Sequence, residues 1–301
     1  MKILLTADWH LRGDAPACRK HPEKWLEEQA QSCAQIAVIA NKHFCQEVWV
    51  IGDVFHRSRT STEGTVWALN LMNRFDVPVR VLLGNHDLYG HNPKERDRST
   101  VGTVFSVNGV VELCSHEHPI SWGADAKSLL VEAYHFGTEP EQIPHCDIWC
   151  THQLVFPDEA SRPIPELGVL AEDLLKCSDA KVIITGDYHH GYVKEFGDRK
   201  VVTCGCINIQ ARDMADYQPR VYILDTETLG VEEAKLETFG ELDLEAPMLE
   251  DANGYAESIK LAELPRIDFR AAVDAAAQRA GIEVQSKVHE ILESYDTSVI
   301  S

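Results

Sequence analysis

An α/β fold of two stacked, mixed β-sheets flanked by helices is what this 301-residue sequence predicts. Three observations carry that prediction. The chain as far as Leu83 reads strand, helix, strand, helix, strand. After His190 the pattern turns to short runs suited to hairpins. Along the way, five apolar runs each end in Asp, Asn or His, and the carboxyl ends of strands are where an open α/β sheet gathers its chemistry.

Lys2 to Ala7 forms the first strand and ends in Asp8-Trp9-His10. A polar loop with Arg12, Arg19 and Lys20 leads to a long helix, whose buried stripe is expected from Leu26, Ala30, Cys33, Ala37, Ala40 and Phe44. Glu27, Glu28, Gln31 and Lys42 are placed on its wet side. Glu47 to Ile51 is the second strand, running into Gly52-Asp53-Val54-Phe55-His56. A helix entered near Ser61 repeats Val66, Leu69, Met72 and Phe75, and Asp76-Val77-Pro78 stops it. The strand from Val79 then ends in Gly84-Asn85-His86-Asp87. Crossovers of this length make the three strands parallel.

His91 to Ser99 reads as a charged loop long enough to move over the site. Short pieces at Phe105 to Val107 and Val110 to Leu113 suggest sheet edges. Asp147 to Thr151 ends in His152; a short helix around Ala171 to Leu175 leads to Lys181 to Thr185, which ends in Gly186-Asp187-Tyr188-His189-His190. Tyr192 to Phe196, Val201 to Thr203, Ile207 to Gln210 and Arg220 to Asp225 are expected as an antiparallel meander. Gly240 to Gly254 reads as an acidic linker, followed by two amphipathic helices, one from Asp268 to Ala280 and one from Val284 to Tyr295. Residues 1–240 are thus expected as the catalytic domain and 241–301 as linker and helices, which either pack back or dock a partner.

The apolar fraction of 44% is that of a globular protein, and no run is long enough to cross a bilayer. Nine scattered cysteines without a CxxC read as free thiols in a reducing cytoplasm; Cys204-Gly-Cys206 is too close for a metal knuckle. The formal charge of -20 argues against holding a nucleic-acid backbone by the protein's own field. From Thr226 onward there are 17 acidic and 6 basic residues, so over half the excess lies in the last quarter. Metal ions, or a basic partner subunit, would offset that charge at a nucleic-acid site.

The Asp, Asn and His side chains on these strand-end loops form an oxygen and nitrogen donor set without a cysteine thiolate, suited to Mn²⁺, Fe²⁺ or catalytic Zn²⁺. Seven donors exceed the needs of one ion. Two ions sharing a carboxylate, roughly 3.5 to 4 Å apart, activate a water and steady both oxygens in line at a phosphorus.

The series Asp-x-His, Gly-Asp-x-x-His, Gly-Asn-His-Asp, a strand-end His and Gly-x-x-His resembles the calcineurin-like metallophosphoesterase superfamily over about residues 1 to 225. Within it, the Asp-Trp-His-Leu opening and the Gly-Asp-Val-Phe-His block are similar to SbcD-type repair nucleases, bacterial or phage, which work with an SMC-like coiled-coil ATPase. The resemblance implies that Asp8, His10 and His189 hold one ion, that Asn85, His152 and Asp187 hold the other, and that Asp53 bridges them. It implies Mn²⁺ as the metal, DNA as substrate, the ATPase and a second copy of the chain as partners, and no membrane. It also makes His86 the proton donor to the leaving oxygen, supported by His56 in a relay. Asp87 is expected to orient its neighbours or to serve the turn rather than to ligate, and Arg12 and Arg57 to meet phosphate oxygens. The family usually has His where Asp187 stands; His190 is the alternative ligand should the local turn shift. A nucleotide or protein phosphatase, or a small-molecule phosphodiesterase, is the other reading of the same signature, and it requires no positive surface. The region after Asp225 is short for the DNA-capping domain of such nucleases.

Overall fold

The computed structural model describes residues 1–102, 111–113, 120–122 and 129–245. The expected strand at Phe105 to Val107 and the two helices beyond Asp268 lie outside them. One six-stranded sheet contains β1 (Lys2–Thr6), β2 (Glu47–Ile51), β3 (Val79–Leu82) and β4 (Val111–Glu112), all parallel. The second has the parallel core β6 (Leu129–Tyr134), β7 (Ile148–Thr151), β10 (Val182–Thr185) and β12 (Arg199–Thr203). β5 (Ile120–Trp122) and β11 (Tyr192–Phe196) pair antiparallel at its edges. A separate two-stranded ribbon joins β8 (Val155–Phe156) to β9 (Val169–Leu170).

Alternation along the strands builds the layers. Ile3, Leu5, Trp49, Ile51 and Leu82 from the first sheet meet Val131, Ile148, Cys150, Val182 and Ile184 from the second in one dry core. The opposite faces, with Leu4, Val48, Val50 and Val81, carry α1 (Trp25–Lys42) and α2 (Thr62–Met72). On the far side, Trp149, Ile183 and Val201 pack with Ala171 and Leu174 of α3 (Ala171–Cys177). Strands covered on both faces explain why the motifs follow unbroken apolar runs. They also make the strand ends a fixed platform for the site.

The structure corrects several sequence expectations. The α1 stripe is rotated: Trp25, Cys33, Ile36, Ala37 and Ala40 are buried, whereas Leu26 and Phe44 are exposed. Glu28, expected in water, is buried beside Arg19, with 3.3 Å between Nη1 and Oε2. That face can be partly polar because its groups find partners: Ser32 Oγ donates to Asn208 Oδ1, and Gln29 Nε2 to the Arg12 carbonyl. α2 is entered at Ser61 as expected, with the Ser61 hydroxyl accepting from Gly64 N, but Ala68, Leu71 and Met72 are the buried residues and Val66 is exposed.

The meander is not one sheet. β11 and β12 form a hairpin, Ile207 to Gln210 is irregular, and β13 (Arg220–Asp225) crosses to pair antiparallel with β1. There it is joined by β14 (Val231–Lys235), a strand with no apolar alternation to announce it. The start of the expected linker is stitched to the first loop: Lys20 N donates to Glu241 O, and Asp243 N to Cys18 O. His91 to Ser99 is not a loose loop. It forms two 3₁₀ turns, with Asn92 capping Lys94 N and Arg96 gripping Glu112 through both guanidinium nitrogens at 2.8 Å.

Candidate metal centre

The site begins with a backbone zipper between the chain leaving β1 and the chain leaving β2. Asp8 N donates to Gly52 O, His10 N to Asp53 O and Leu11 N to Val54 O. This brings two motif blocks side by side, and Asp87 locks in the third. Its buried carboxylate accepts from the amides of Val54, Phe55 and Gly84 at 3.0 to 3.3 Å. Burial, then the charge of Asp53, pushes its pKa up to about 7. The orienting role expected of Asp87 is what these bonds perform.

Four of the expected ligands, Asp8, His10, Asp53 and Asp187, have positive φ between 44 and 71°. Asp visits this region more readily than most residues, but four cases at strand ends are a concentration of strain typical of working sites. Gly52, at φ 86°, and Gly84 complete the fit: a Cβ on Gly52 would lie 2.0 Å from His152 Nδ1, and one on Gly84 would lie 2.1 Å from Asp53 Oδ1. Without side chains there, His152 and Asp53 enter the space between the strand ends.

His152 is fully buried, and its Nδ1 lies 2.7 Å from Ile51 O. A carbonyl only accepts, so Nδ1 carries the proton and Nε2 faces the cluster. Nε2 lies 3.4 Å from Asp53 Oδ2, 3.2 Å from Asn85 Oδ1, and 4.0 Å from both Asp8 Oδ1 and Asp187 Oδ1. On the other side, His10 Nε2 is 3.0 Å from His189 Nε2 and 3.7 Å from Asp53 Oδ2. Asp53 Oδ2 thus lies between the two groups of donors. Donor atoms of Asp8, His10 and His189 fall within 4.8 Å of one another, as do those of Asp8, Asp53 and His152. Asp187, whose amide donates to Asp8 Oδ1, stands at the edge of the second group. His190 turns away, with its ring against Tyr188 and Tyr217.

These residues fit divalent cations. Burial, above all, raises the pKa of Asp8 and of Asp187. Burial also resists charge on His152, yet Asp53, Asp8 and Asp187 outweigh it and push that imidazole well above its ordinary value. At Asp53 burial again opposes ionisation, but His152 and His86 outweigh it and pull the carboxyl below its usual range. Three converging carboxylates therefore demand positive charge. Asp8 Oδ2 is buried without a partner, and one end of the Asn85 amide lies within 3.3 Å of both Asp53 oxygens and of His152 Nε2, where its oxygen fits only beside a cation. Cations satisfy all of these atoms at once. When bound, they supply charge to polarise a phosphoryl oxygen and acidify a water.

His86 sits half-buried above this group. Its amide donates to Asp53 Oδ1, and its Nδ1 lies 2.8 Å from the His56 carbonyl. That bond leaves Nε2 as the atom that exchanges a proton. The link expected between the two rings is therefore made through the His56 backbone. The His56 ring stacks near His86 at 5.5 Å, and its Nε2 meets Arg12 Nη1 at 2.7 Å. Burial, then Arg12, holds the His56 pKa down to about 2, so it is a neutral acceptor. His10, His56 and His86 also bring donor atoms within 4.8 Å of one another, but the guanidinium already occupies His56 Nε2. Arg57 is exposed and 3.4 Å from Asp14 Oδ2. Trp9 is core, packed on Phe75 with Nε1 donating to Thr6 Oγ1. Nothing in the local pattern of residues points to His91, whose ring lies 5.8 Å from that of His86.

The family model described as calcineurin-like phosphoesterase matches residues 1–191. The chain belongs to that family. It is a metal-dependent phosphoesterase, with a donor set consistent with two ions. No curated protein matches significantly. Among solved structures, TT1561 of Thermus thermophilus is 13% identical, with 78% of this chain and 99% of that one covered and a TM-score of 0.47. An archaeal phosphodiesterase is 16% identical over 78% and 100%, with a TM-score of 0.41. Phosphopantetheinyl hydrolase from Mycobacterium tuberculosis is 14% identical over 77% and 95%, with a TM-score of 0.42. Likeness at this level says nothing of substrate.

Proposed function

We propose that this phosphoesterase is a Mn²⁺-dependent DNA nuclease subunit of SbcD type, hydrolysing phosphodiester bonds as part of a repair or recombination complex. The observation that carries the reading is the Gly52-Asp53-Val54-Phe55-His56 block, continued by Arg57 and paired with Arg12 through His56. Arg12 meets the ring of His56, which stacks 5.5 Å from that of the proposed proton donor, and Arg57 follows His56 in the chain; such cations suit the phosphates that flank a scissile diester. In the reaction, a water oxygen bonds to phosphorus while the P–O bond to the leaving group breaks. His86 Nε2 gives its proton to the departing oxygen, the attacking water releases one to solvent, and His86 is reprotonated from solvent after the product leaves. Asp187, in place of the usual histidine, adds a hard oxygen that favours Mn²⁺ or Mg²⁺.

The residues after 240 are proposed to dock an SMC-like coiled-coil ATPase in the cytoplasm, and the subunit to pair with a second copy. Such a partner would supply the positive surface that a chain of net charge -20 does not. The same charge favours the second reading, a nucleotide or protein phosphatase or small-molecule phosphodiesterase. End-labelled single- and double-stranded oligonucleotides with Mn²⁺, beside a panel of nucleoside monophosphates, separate the two. DNA cleavage abolished by His86→Ala supports the nuclease. Inert DNA with rapid phosphate release from a nucleotide makes the protein a phosphatase.

A further inference from the structure

The turn after the Asn85-His86-Asp87 block is built with unusual care. Gly90 and His91 are consecutive residues in the left-handed region, at φ 58 and 52°. Glycine adopts this conformation freely and histidine does not, so His91 is held there by its surroundings. Its neighbour Tyr89 is fixed by two guanidiniums, with Arg59 Cζ 4.6 Å and Arg98 Cζ 4.1 Å from its ring centroid. Arg59 Nε also bonds to the Arg98 carbonyl, and His91 N donates to Leu88 O at 3.0 Å. Arg59 belongs to the loop that starts at His56, so the clamp ties this turn to the loop beside the site.

What the clamp presents is the half-buried His91 ring, edge-on to His86 at 73° with centroids 5.8 Å apart. Its Nδ1 is buried and has no hydrogen-bond partner. His86 is otherwise fixed by the His56 carbonyl at Nδ1 and by the rings of His10 and His56. His91 closes the remaining flank, and its unpaired buried nitrogen beside a proton donor is a group that folding alone does not account for.

We propose that His91 is a positioning residue for the leaving-group end of the reaction: it fixes the ring of His86 and offers Nδ1 to the departing alcohol portion of the phosphoester. This rests on His86 being the proton donor. The proton still passes from His86 Nε2 to the leaving oxygen as the P–O bond breaks, and His91 transfers none. Its effect must therefore grow with the need for that proton. A p-nitrophenolate leaves with little help; an alkoxide depends on it.

The test is a series of methyl phosphodiesters whose second alcohol runs from p-nitrophenol through phenol to a primary alcohol, hydrolysed by the Mn²⁺-loaded full chain. His91→Gly keeps the backbone angle accessible and removes the ring. It is expected to lower kcat for the alkyl ester about tenfold more than for the p-nitrophenyl ester, at similar KM. His91→Asn, which tolerates positive φ and restores a nitrogen close to Nδ1, is expected to recover most of that ratio. An equal loss across the series, or no change, would overturn the proposal. His86→Ala is run alongside: if it shows no leaving-group dependence, the assignment of His86 fails and the proposal with it. If His86→Ala shows the dependence and His91→Gly does not, only His91 is misassigned.

Discussion

Asp53 Oδ2 is 3.7 Å from His10 Nε2 and 3.4 Å from His152 Nε2, so one carboxylate faces both halves of the centre. Replacing it by Asn keeps the shape and removes the charge. Asp53→Asn should lose phosphodiester hydrolysis by about 100-fold or more, measured on bis(p-nitrophenyl) phosphate with Mn²⁺; full activity would show that no ion depends on that charge. Gly84→Ala approaches the same atom from behind, because the new Cβ would meet Asp53 Oδ1 at 2.1 Å and His152 Nε2 at 2.7 Å. It should weaken Mn²⁺ binding in calorimetry at least about tenfold and cost about 1–3 kcal/mol of stability. The candidate ligands were readable in the sequence because each follows a strand end and is a donor type that metals select. His91 was not, since a lone histidine in a polar stretch carries no pattern; only its dihedral angle and its neighbour single it out.

Elements were legible where burial is two-sided and obscure where it is not. β1, β2, β3, β7 and β10 are apolar throughout most of their length and appear where their runs predict. β14 was missed because its burial pattern is half-exposed and its residues, Val-Glu-Glu-Ala-Lys, are mostly charged. β13 was found but assigned the wrong partner, as local pattern says nothing of a crossover between sheets. The short β4 is secured by charge: Glu112 accepts from both nitrogens of Arg96 and lies 2.5 Å from His135 Nε2. Burial opposes ionisation of Glu112, but His135 and Arg96 outweigh it and hold its pKa down to about 2 against an ordinary 4.5. A carboxylate depressed on folding stabilises above its unfolded pKa. That contribution is therefore whole above about pH 4.5 and lost as pH falls toward 2. Thermal melts of the wild type and Glu112→Gln should differ near neutrality and converge through that window. A constant difference down to pH 2 would rule out the ion pair as the source of that stability.

For the molecule as a whole, the paired sheets that present the site also bury its thiols. Of the eight described cysteines, all free, only Cys177 is not fully buried. Burial pushes the thiol of Cys33 up to about 12 and those of Cys45 and Cys146 up to about 11. Because the thiolate is the reactive form, Cys177 should be the first of the eight to react with a thiol reagent under mildly alkaline conditions, the others following only on unfolding; peptide mapping of the labelled protein checks this. No helix among the described residues is long and apolar enough to cross a membrane. Everything proposed for the molecule depends on two ions sharing Asp53 beneath His86. Crystals grown with Mn²⁺ and measured at the manganese absorption edge would show this without reference to any substrate. Two anomalous peaks roughly 3.5 to 4 Å apart are expected, with Asp53 touching both, Asp8, His10 and His189 on one, and Asn85, His152 and Asp187 on the other. A single peak, or two peaks with Asp53 on only one of them, would refute the shared carboxylate.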